Sequence, residues 1–265
     1  MLFVVYHNSA PRKYVLDDDF RVSILSGSAM NRENVNAVFD YYDDEIVDSI
    51  SSRNWFYSEI TSLYYIYKTM NTGLVGFEHY RRHFTKFSFK IWKLNLIDAK
   101  TISSILTKKE IILPKKTYFY KKSLLQQYLD AGHSRLAIDL MLKIISKKYP
   151  AQLDTIKYHL QKNEGYFQNL FITRSDLINQ YFEWVFPIFF EVEKEFVKIH
   201  GTSYKRVNAF LSERLFSVWI DLQGFSIHNQ RVIKVDHSKS DFYNNLAHIK
   251  RTWILIVKNI FIKTI

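Results

Sequence analysis

The chain has 265 residues, enough for one large domain, or a domain with an appendage, built around a substantial core. Aromatic residues at 17% exclude disorder, and the absence of cysteine excludes a disulfide framework, thiolate metal sites and cysteine nucleophiles. Its 37 Lys and Arg against 26 Asp and Glu leave a net charge of +11, a balance that favours anionic partners: nucleic acid, an anionic lipid leaflet or a phosphate-bearing substrate.

The opening run Leu2 to Tyr6 is apolar and lacks the basic prelude and small-residue cleavage site of a signal peptide. It turns polar at His7-Asn8-Ser9, the pattern of a first central strand whose C-terminal end opens into a pocket. A loop histidine without a role fits His7 equally well. Asp17-Asp18-Asp19 precedes an expected strand, Phe20 to Leu25. Consecutive carboxylates cannot converge on one ion without a special loop, so this run and Asp43-Asp44-Glu45 read as solvated turns.

From Trp55 to Met70 the residues Phe56, Ile60, Leu63, Tyr64, Tyr67 and Met70 share one face at the helical period, with Ser51 or Ser52 available as N-cap. Glu59 stands beside that apolar stripe, where an unpaired carboxylate is costly, so a partner among Lys68, Arg81 and Arg82 is expected. Leu74 to Phe77 reads as an interior strand that delivers Glu78-His79-Tyr80-Arg81-Arg82-His83 at its C-terminal end. In open α/β sheets ligands sit at that end. In an extended chain adjacent arginines point to opposite sides, so one of Arg81 and Arg82 is expected to face a ligand, its planar fork suiting phosphate.

Lys86, Lys90 and Lys93 then alternate with Phe87, Phe89 and Trp92, a pattern open to single-stranded nucleic acid, an interface or a membrane surface. Residues 96–106 read as helix and Glu110 to Pro114 as a short strand leading to Lys115-Lys116. Ser123 to Lys162 is helical, with breaks at Gly132 and Pro150. Such an insertion commonly covers a sheet's open end, which would place it over the substrates. Asn169 precedes another buried strand and a helix rich in Trp184, Phe186, Phe189 and Phe190. Arg206 to Leu222 is a helix carrying Glu213-Arg214-Leu215. The tail from Phe242 to Ile265 sets Trp253 to Val257 and Ile260 to Ile262 among Lys250, Arg251, Lys258 and Lys263, which suits an interfacial helix on an anionic leaflet. No run of about 18 uninterrupted apolar residues exists, so no spanning helix is expected.

Asn54, Tyr57, Glu59, Thr61, Tyr64, Lys68, Gly76 and His79-Tyr80-Arg81-Arg82 with Phe84 resemble the signature of a bacterial glycosyltransferase family of capsular and exopolysaccharide gene clusters, long known as a domain of unknown function. Ser49 stands where the family's Asp-Asn-Ile-Ser has its Asn. The resemblance implies an α/β fold of the GT-A-like, Rossmann-like nucleotide-sugar transferase type over residues 1–237, with a helical insertion, followed at 238–265 by a basic amphipathic C-terminal helix for membrane association.

It further implies a hexosyltransferase that uses a UDP-sugar, galactofuranosyl donors being allowed, and a polyprenyl-diphosphate-linked saccharide as acceptor. The enzyme would sit in the cytoplasm, peripheral on the inner face of the cell membrane. Glu213 is the expected general base, with His79 also catalytic. His7, Asn54, Glu59, Thr61, Arg81, Arg82 and Asn169 are expected on the donor side, His133 and Arg214 on the acceptor side. Enzymes of this fold often hold Mn²⁺ or Mg²⁺ with an Asp-x-Asp. Here Glu78 and His79 occupy that location, so they are the candidate ligands, while metal-independent catalysis through His79 and the arginines stays open. The rival reading is a non-catalytic basic module binding nucleic acid or an anionic membrane; no nucleic-acid recognition motif accompanies the charge.

Overall fold

The computed structural model describes residues 1–16, 19–86 and 92–250. Ten strands occur among them: β1 (Leu2–Tyr6), β2 (Arg21–Leu25), β3 (Tyr41–Tyr42), β4 (Leu74–His79), β5 (Arg82–Thr85), β6 (Ile111–Pro114), β7 (Thr117–Tyr118), β8 (Glu164–Gly165), β9 (Phe171–Arg174) and β10 (Ile227–Lys234). The helices are α1 (Lys13–Leu16), α2 (Ser28–Asn31), α3 (Asn54–Tyr57), α4 (Ile60–Thr69), α5 (Ala99–Leu106), α6 (Leu124–Asp130), α7 (Arg135–Lys148), α8 (Leu153–Leu160), α9 (Ser175–His200) and α10 (Val207–Gln223). Residues 241–250 are also helical.

The protein is thus a mixed α/β fold. One half of the main sheet is parallel, with β3, β2, β1 and β4 side by side. All five residues of β1 are buried, as expected for a strand covered on both faces. The outer edge of β4 is then shared. Leu74 to Phe77 pair with antiparallel β9, and His79 pairs with Arg82 of β5 across a two-residue turn. β6 lies parallel to β10, which runs antiparallel to β5 and so brings the strands back to the end of β4. Gly76 is required at the crowded middle of β4: a Cβ there would lie 2.5 Å from Leu2 Cδ1 and 3.1 Å from the Phe171 carbonyl oxygen.

Helix α9 packs its buried aromatics against α4 and α10. Tyr64 meets Phe186 edge-on at 4.9 Å and Tyr67 stacks on it at 5.7 Å, contacts worth about 0.5–1.5 kcal/mol each beyond area burial. The helical insertion divides as its breakers dictate, into α6, α7 and α8. It packs on α9 and α10, and among the described residues none of its side chains lines the cavities below.

Three elements differ from expectation. The helix foreseen over Trp55 to Met70 is two helices, because Ser58 takes φ 51 and ψ −132 between them. Ser51 does not cap it; its hydroxyl accepts from the Ala29 N–H at 3.0 Å. Strand β10 was not foreseen, since Ile227–Lys234 mixes polar residues through both faces. Finally, Asp43 is buried, not solvated, and accepts from the N–H groups of Gly27 and Ser28 at 2.8 and 2.9 Å. Asp19 is exposed in a turn as expected; Asp17, Asp18, Phe87, Phe89, Lys90 and the apolar-basic stretch 251–265 lie outside the described residues.

Candidate active site

At the C-terminal ends of β1 and β4 lies a cavity of about 270 Å³, lined by His7, Glu59, His79, Tyr80, Arg81, Arg82, Gln168, Arg206, Glu213 and Lys234. Six segments distant in sequence meet here, Lys234 coming from the end of β10. His7 leaves β1, His79 ends β4, Glu59 stands at the break between α3 and α4, Gln168 precedes β9, and Arg206 and Glu213 belong to the start and body of α10. Four residues with positive φ surround the chamber: Ser58 (51°), Gln168 (73°), Asn169 (53°) and Arg206 (60°). Such backbone costs of order 1–3 kcal/mol per non-glycine residue and persists where the surroundings over-determine it, commonly at functional sites.

The strain at Ser58 shows how. Its carbonyl accepts from Asn54 Nδ2 at 2.8 Å, from Thr61 Oγ1 at 3.0 Å and from Ser26 Oγ at 3.1 Å. Held this way, the break turns the next residue, Glu59, out of the helix stripe and toward the chamber. Asn54 and Thr61, expected to bind donor, therefore act behind the site. Asn54 also packs so closely on Gly27 that a Cβ there would lie 2.4 Å from its Cγ.

Glu59 is buried and faces Asn169 Nδ2 at 3.4 Å and Arg206 Nη2 at 3.9 Å. None of the three partners expected for it makes an ion pair with it; Lys68 lies over the rings of Tyr64 and Tyr67. Burial works against its charge, but the imidazoles of His79 and His7, which take up charge only in acid where the carboxyl itself titrates, outweigh this and hold it below its ordinary value. Asn169 spends both ends of its carboxamide internally, its Oδ1 accepting from Ser212 Oγ at 2.9 Å. With 2% of its surface exposed it orients Glu59 and does not reach a sugar hydroxyl.

His79 donates from Nε2 to the Gln168 carbonyl at 2.8 Å, which fixes the tautomer and leaves Nδ1 as the basic nitrogen. Burial pushes its pKa down to about 4, against the pull of Glu59, so the ring is neutral at pH 7. His7 is likewise lowered by burial, with Glu59 opposing. Glu213 accepts from the Gln168 N–H at 3.0 Å and from Arg214 Nη1 at 2.9 Å. Burial raises its carboxyl above the usual range, Arg214 pulls it back, and the charge of Glu59 pushes it further up. The backbone of one residue, Gln168, thus holds the base candidate by its N–H and the imidazole by its carbonyl.

The cations complete the chamber. Arg81 and Arg82 both line it, contrary to the extended-chain argument, because the chain turns between β4 and β5. Arg82 and Lys234 are directly opposed across β5 and β10. Like charges so placed repel, and among the described residues Arg81, Arg82 and Lys234 enter no ion pair. Four cationic side chains, counting Arg206, face two carboxylates and two neutral imidazoles. The excess is suited to an anion.

Other expected residues lie elsewhere. Glu78 alternates to the opposite face from His79 and is fully buried, its Oε2 facing Arg21 Nε at 3.2 Å and His83 Nδ1 at 2.9 Å and its Oε1 accepting from the Phe84 N–H at 2.7 Å. Burial opposes its charge, but Arg21 and His83 hold its pKa down to about 2. With both oxygens engaged away from the chamber, Glu78 is not placed as a metal ligand. Among the described residues no group of three or more His, Asp or Glu is arranged to hold a metal ion. Arg214 is buried beneath Glu213, bonded also to Gln127 and lying over the rings of Tyr128 and Phe167, so it positions the base and cannot touch an acceptor. His133 stacks on Phe210 at 3.7 Å and is not part of the chamber lining.

Sequence reasoning missed Gln168, Arg206 and Lys234. Gln168 acts through its peptide group, Arg206 stands one residue before its helix, and Lys234 ends the unforeseen strand.

Residues 1–224 match the family described as "Domain of unknown function (DUF4422)". The chain belongs to that family. Among solved structures it is similar to one titled "WbbM bifunctional glycosytransferase apo structure", with a TM-score of 0.71 and 25% sequence identity over 89% of this chain. The likeness covers 45% of that longer chain, so this protein spans less than half of it. Comparison with curated proteins gave no match. The DUF4422 segment contains every chamber residue except Lys234.

Proposed function

We propose that this protein is a glycosyltransferase of cell-surface polysaccharide biosynthesis, which moves a hexosyl residue from a nucleotide-sugar, expected to be a UDP-sugar, to a saccharide acceptor. The observation that carries the reading is the juxtaposition of Arg82 and Lys234, two opposed cations that enter no ion pair among the described residues, with a carboxylate whose pKa is raised. A fold ending its parallel strands at such a chamber is in keeping with the GT-A-like class. The similarity to a bifunctional glycosyltransferase supports the same reaction type.

In this reading the acceptor hydroxyl oxygen bonds to the anomeric carbon as the bond from that carbon to the diphosphate oxygen breaks. The hydroxyl proton passes to Glu213. The departing electron pair leaves with the nucleoside diphosphate, whose charge Arg81, Arg82 and Lys234 neutralise. General-base help of this kind contributes typically about 10²–10⁴-fold, and preorganised cations in a partly dry site a comparable factor. Glu59, held by Asn169 and Arg206, shapes the chamber and keeps the imidazoles in place. No step is routed through a metal ion. His79 and the cations take the place of an acidic ion-binding pair.

A polyprenyl-diphosphate-linked saccharide is the acceptor class proposed, met at the inner face of the cell membrane. The net charge of +11 and the apolar-basic sequence at 251–265 support peripheral attachment. Among the described residues no helix is long and apolar enough to cross a membrane. Incubating the full chain with a panel of nucleotide-sugars and a synthetic lipid-linked saccharide tests the reading. A lengthened acceptor that disappears with Glu213→Gln supports it; no product with any donor, or full product from Glu213→Gln, overturns it.

A further inference from the structure

A second and larger cleft, of about 970 Å³, adjoins the chamber and shares Tyr80, Arg81 and Lys234 with it. Its inner wall is the loop Asn8 to Pro11 after β1; its outer wall is the stretch from Lys234 through Lys239, continued by Tyr243, Asn244 and Ala247 of the terminal helix. All of that outer wall lies beyond residue 224, outside the DUF4422 segment.

The wall is fastened to the domain. Asn244 closes the turn before its helix, its Oδ1 accepting from the Asp236 N–H at 2.8 Å and its Nδ2 donating to the Asp236 carbonyl at 3.1 Å. Asp241 accepts from Lys13 Nζ at 2.9 Å, from Tyr14 Oη at 2.8 Å and from the Leu94 N–H at 3.2 Å. His237 bonds the Tyr80 carbonyl at 2.7 Å and stacks on the Tyr80 ring at 6.1 Å, 5° from parallel. The first turns of the tail are therefore a built part of the cleft and not a free appendage.

Size separates the two compartments. The chamber, at about 270 Å³, falls below the roughly 300–1,000 Å³ of sites that take drug-sized ligands. It has room for one sugar and not for a nucleotide-sugar. The diphosphate at Arg81 and Lys234 must then direct the rest of the donor through the shared border. Beyond that border are an aromatic ring at Tyr243, 61% exposed, the side-chain amide of Asn34 and the cation of Lys239, groups that suit a base and a ribose.

Building on the glycosyltransferase reading, we propose that the larger cleft binds the nucleoside half of the donor, and that the segment 234–247 beyond the family segment supplies its outer wall and sets which nucleoside is accepted. The family segment then carries the sugar-transfer chemistry, and the C-terminal segment carries nucleotide selection.

The test compares two ligands by calorimetry on the full-length chain: inorganic pyrophosphate, and whichever of UDP, GDP, dTDP and ADP the intact protein binds best. Tyr243→Ala should weaken the nucleoside diphosphate about tenfold or more, the size of one base–aromatic contact, and leave pyrophosphate unchanged. Tyr243→Phe, which keeps the ring, should bind both as the intact chain does. Arg81→Ala should weaken both ligands. Tyr243 is largely exposed, so these variants keep the fold, which a melting curve verifies. Nucleoside diphosphate binding unchanged in both Tyr243→Ala and Lys239→Glu, but reduced in Arg81→Ala, overturns the wall proposal and leaves the functional reading standing. Intact protein that binds none of the ligands overturns the functional reading itself.

Discussion

Helix α10 carries two acids into opposite environments. Asp221 lies among Lys116 Nζ at 3.0 Å, Lys162 Nζ at 3.1 Å and His159 Nδ1 at 3.1 Å, where it ties α8 and the β7–β8 ladder to the helix. Burial opposes its charge, and the two lysines more than compensate, so its carboxyl sits below the usual range. Glu213, two turns earlier, is held by one peptide N–H and one buried guanidinium and sits above that range. The cations near Asp221 are its partners. Around Glu213, Arg214 is paired with it, but Arg81, Arg82 and Lys234 enter no ion pair among the described residues. Positive charge that is already spent makes a structural site; positive charge left over beside a basic carboxylate makes a site for an anionic substrate.

Four variants, one of them a double substitution, sharpen that contrast or break it. Glu213→Gln keeps the side chain's shape and one of its two accepted hydrogen bonds but removes the proton acceptor, and should lower kcat about 10²–10⁴-fold with donor affinity retained; single-turnover kinetics beside calorimetry would show an equal loss of binding if the acid were merely structural. Next in size, Arg82→Ala with Lys234→Ala should weaken nucleoside diphosphate binding about 10–100-fold, the worth of one charged hydrogen bond. Because the two charges repel across the strands, the same change should leave the melting temperature unchanged or raised. A fall in melting temperature would mean they are structural partners after all.

Arg214→Met should act through pH. Glu213 must be ionised to take a proton, and Arg214 is what holds its raised carboxyl down. Removing the guanidinium moves the acidic limb of the kcat profile to higher pH; a profile that stays in place would separate Glu213 from the chemistry. Smallest of all, Asp221→Asn should cost about 1 kcal/mol or less of stability, since the cluster is partly exposed, and leave kcat as it was. Its folded carboxyl is depressed, so the contribution is present above the ordinary carboxyl range and is lost as pH falls through the lower folded value. Urea melts of the two chains should therefore converge in acid.

Much of the frame was legible in the letters because it rests on periodicity. β1 and β4 read as buried runs, α9 and α10 as apolar helices, and His7, Glu59, His79, Arg81, Arg82 and Glu213 were all singled out and all line the chamber. What stayed hidden depends on contacts across sequence. The break at Ser58 follows from a side chain four residues back and another thirty-two back, which no helical pattern encodes. Glu78 and His79 are neighbours with the same apparent chemistry, yet strand alternation sends one to Arg21 and the other to the chamber. Asn169 and Arg214 looked like ligand-binding groups because their types are, and only the structure shows them buried and turned to Glu59, Ser212 and Glu213. Lys234 was out of reach because its strand pairs with β5 and β6 without an alternating apolar face of its own.

The claim beneath all of this is that the opposed cations Arg82 and Lys234, beside the end of β4, exist to hold a diphosphate. Titrating UDP into the intact chain, into Arg82→Ala with Lys234→Ala, and into Asp221→Asn measures it directly. The account expects binding by the intact protein, the same binding by Asp221→Asn, and a clear loss in the double substitution; equal affinity in all three, or none in the intact chain, would contradict it.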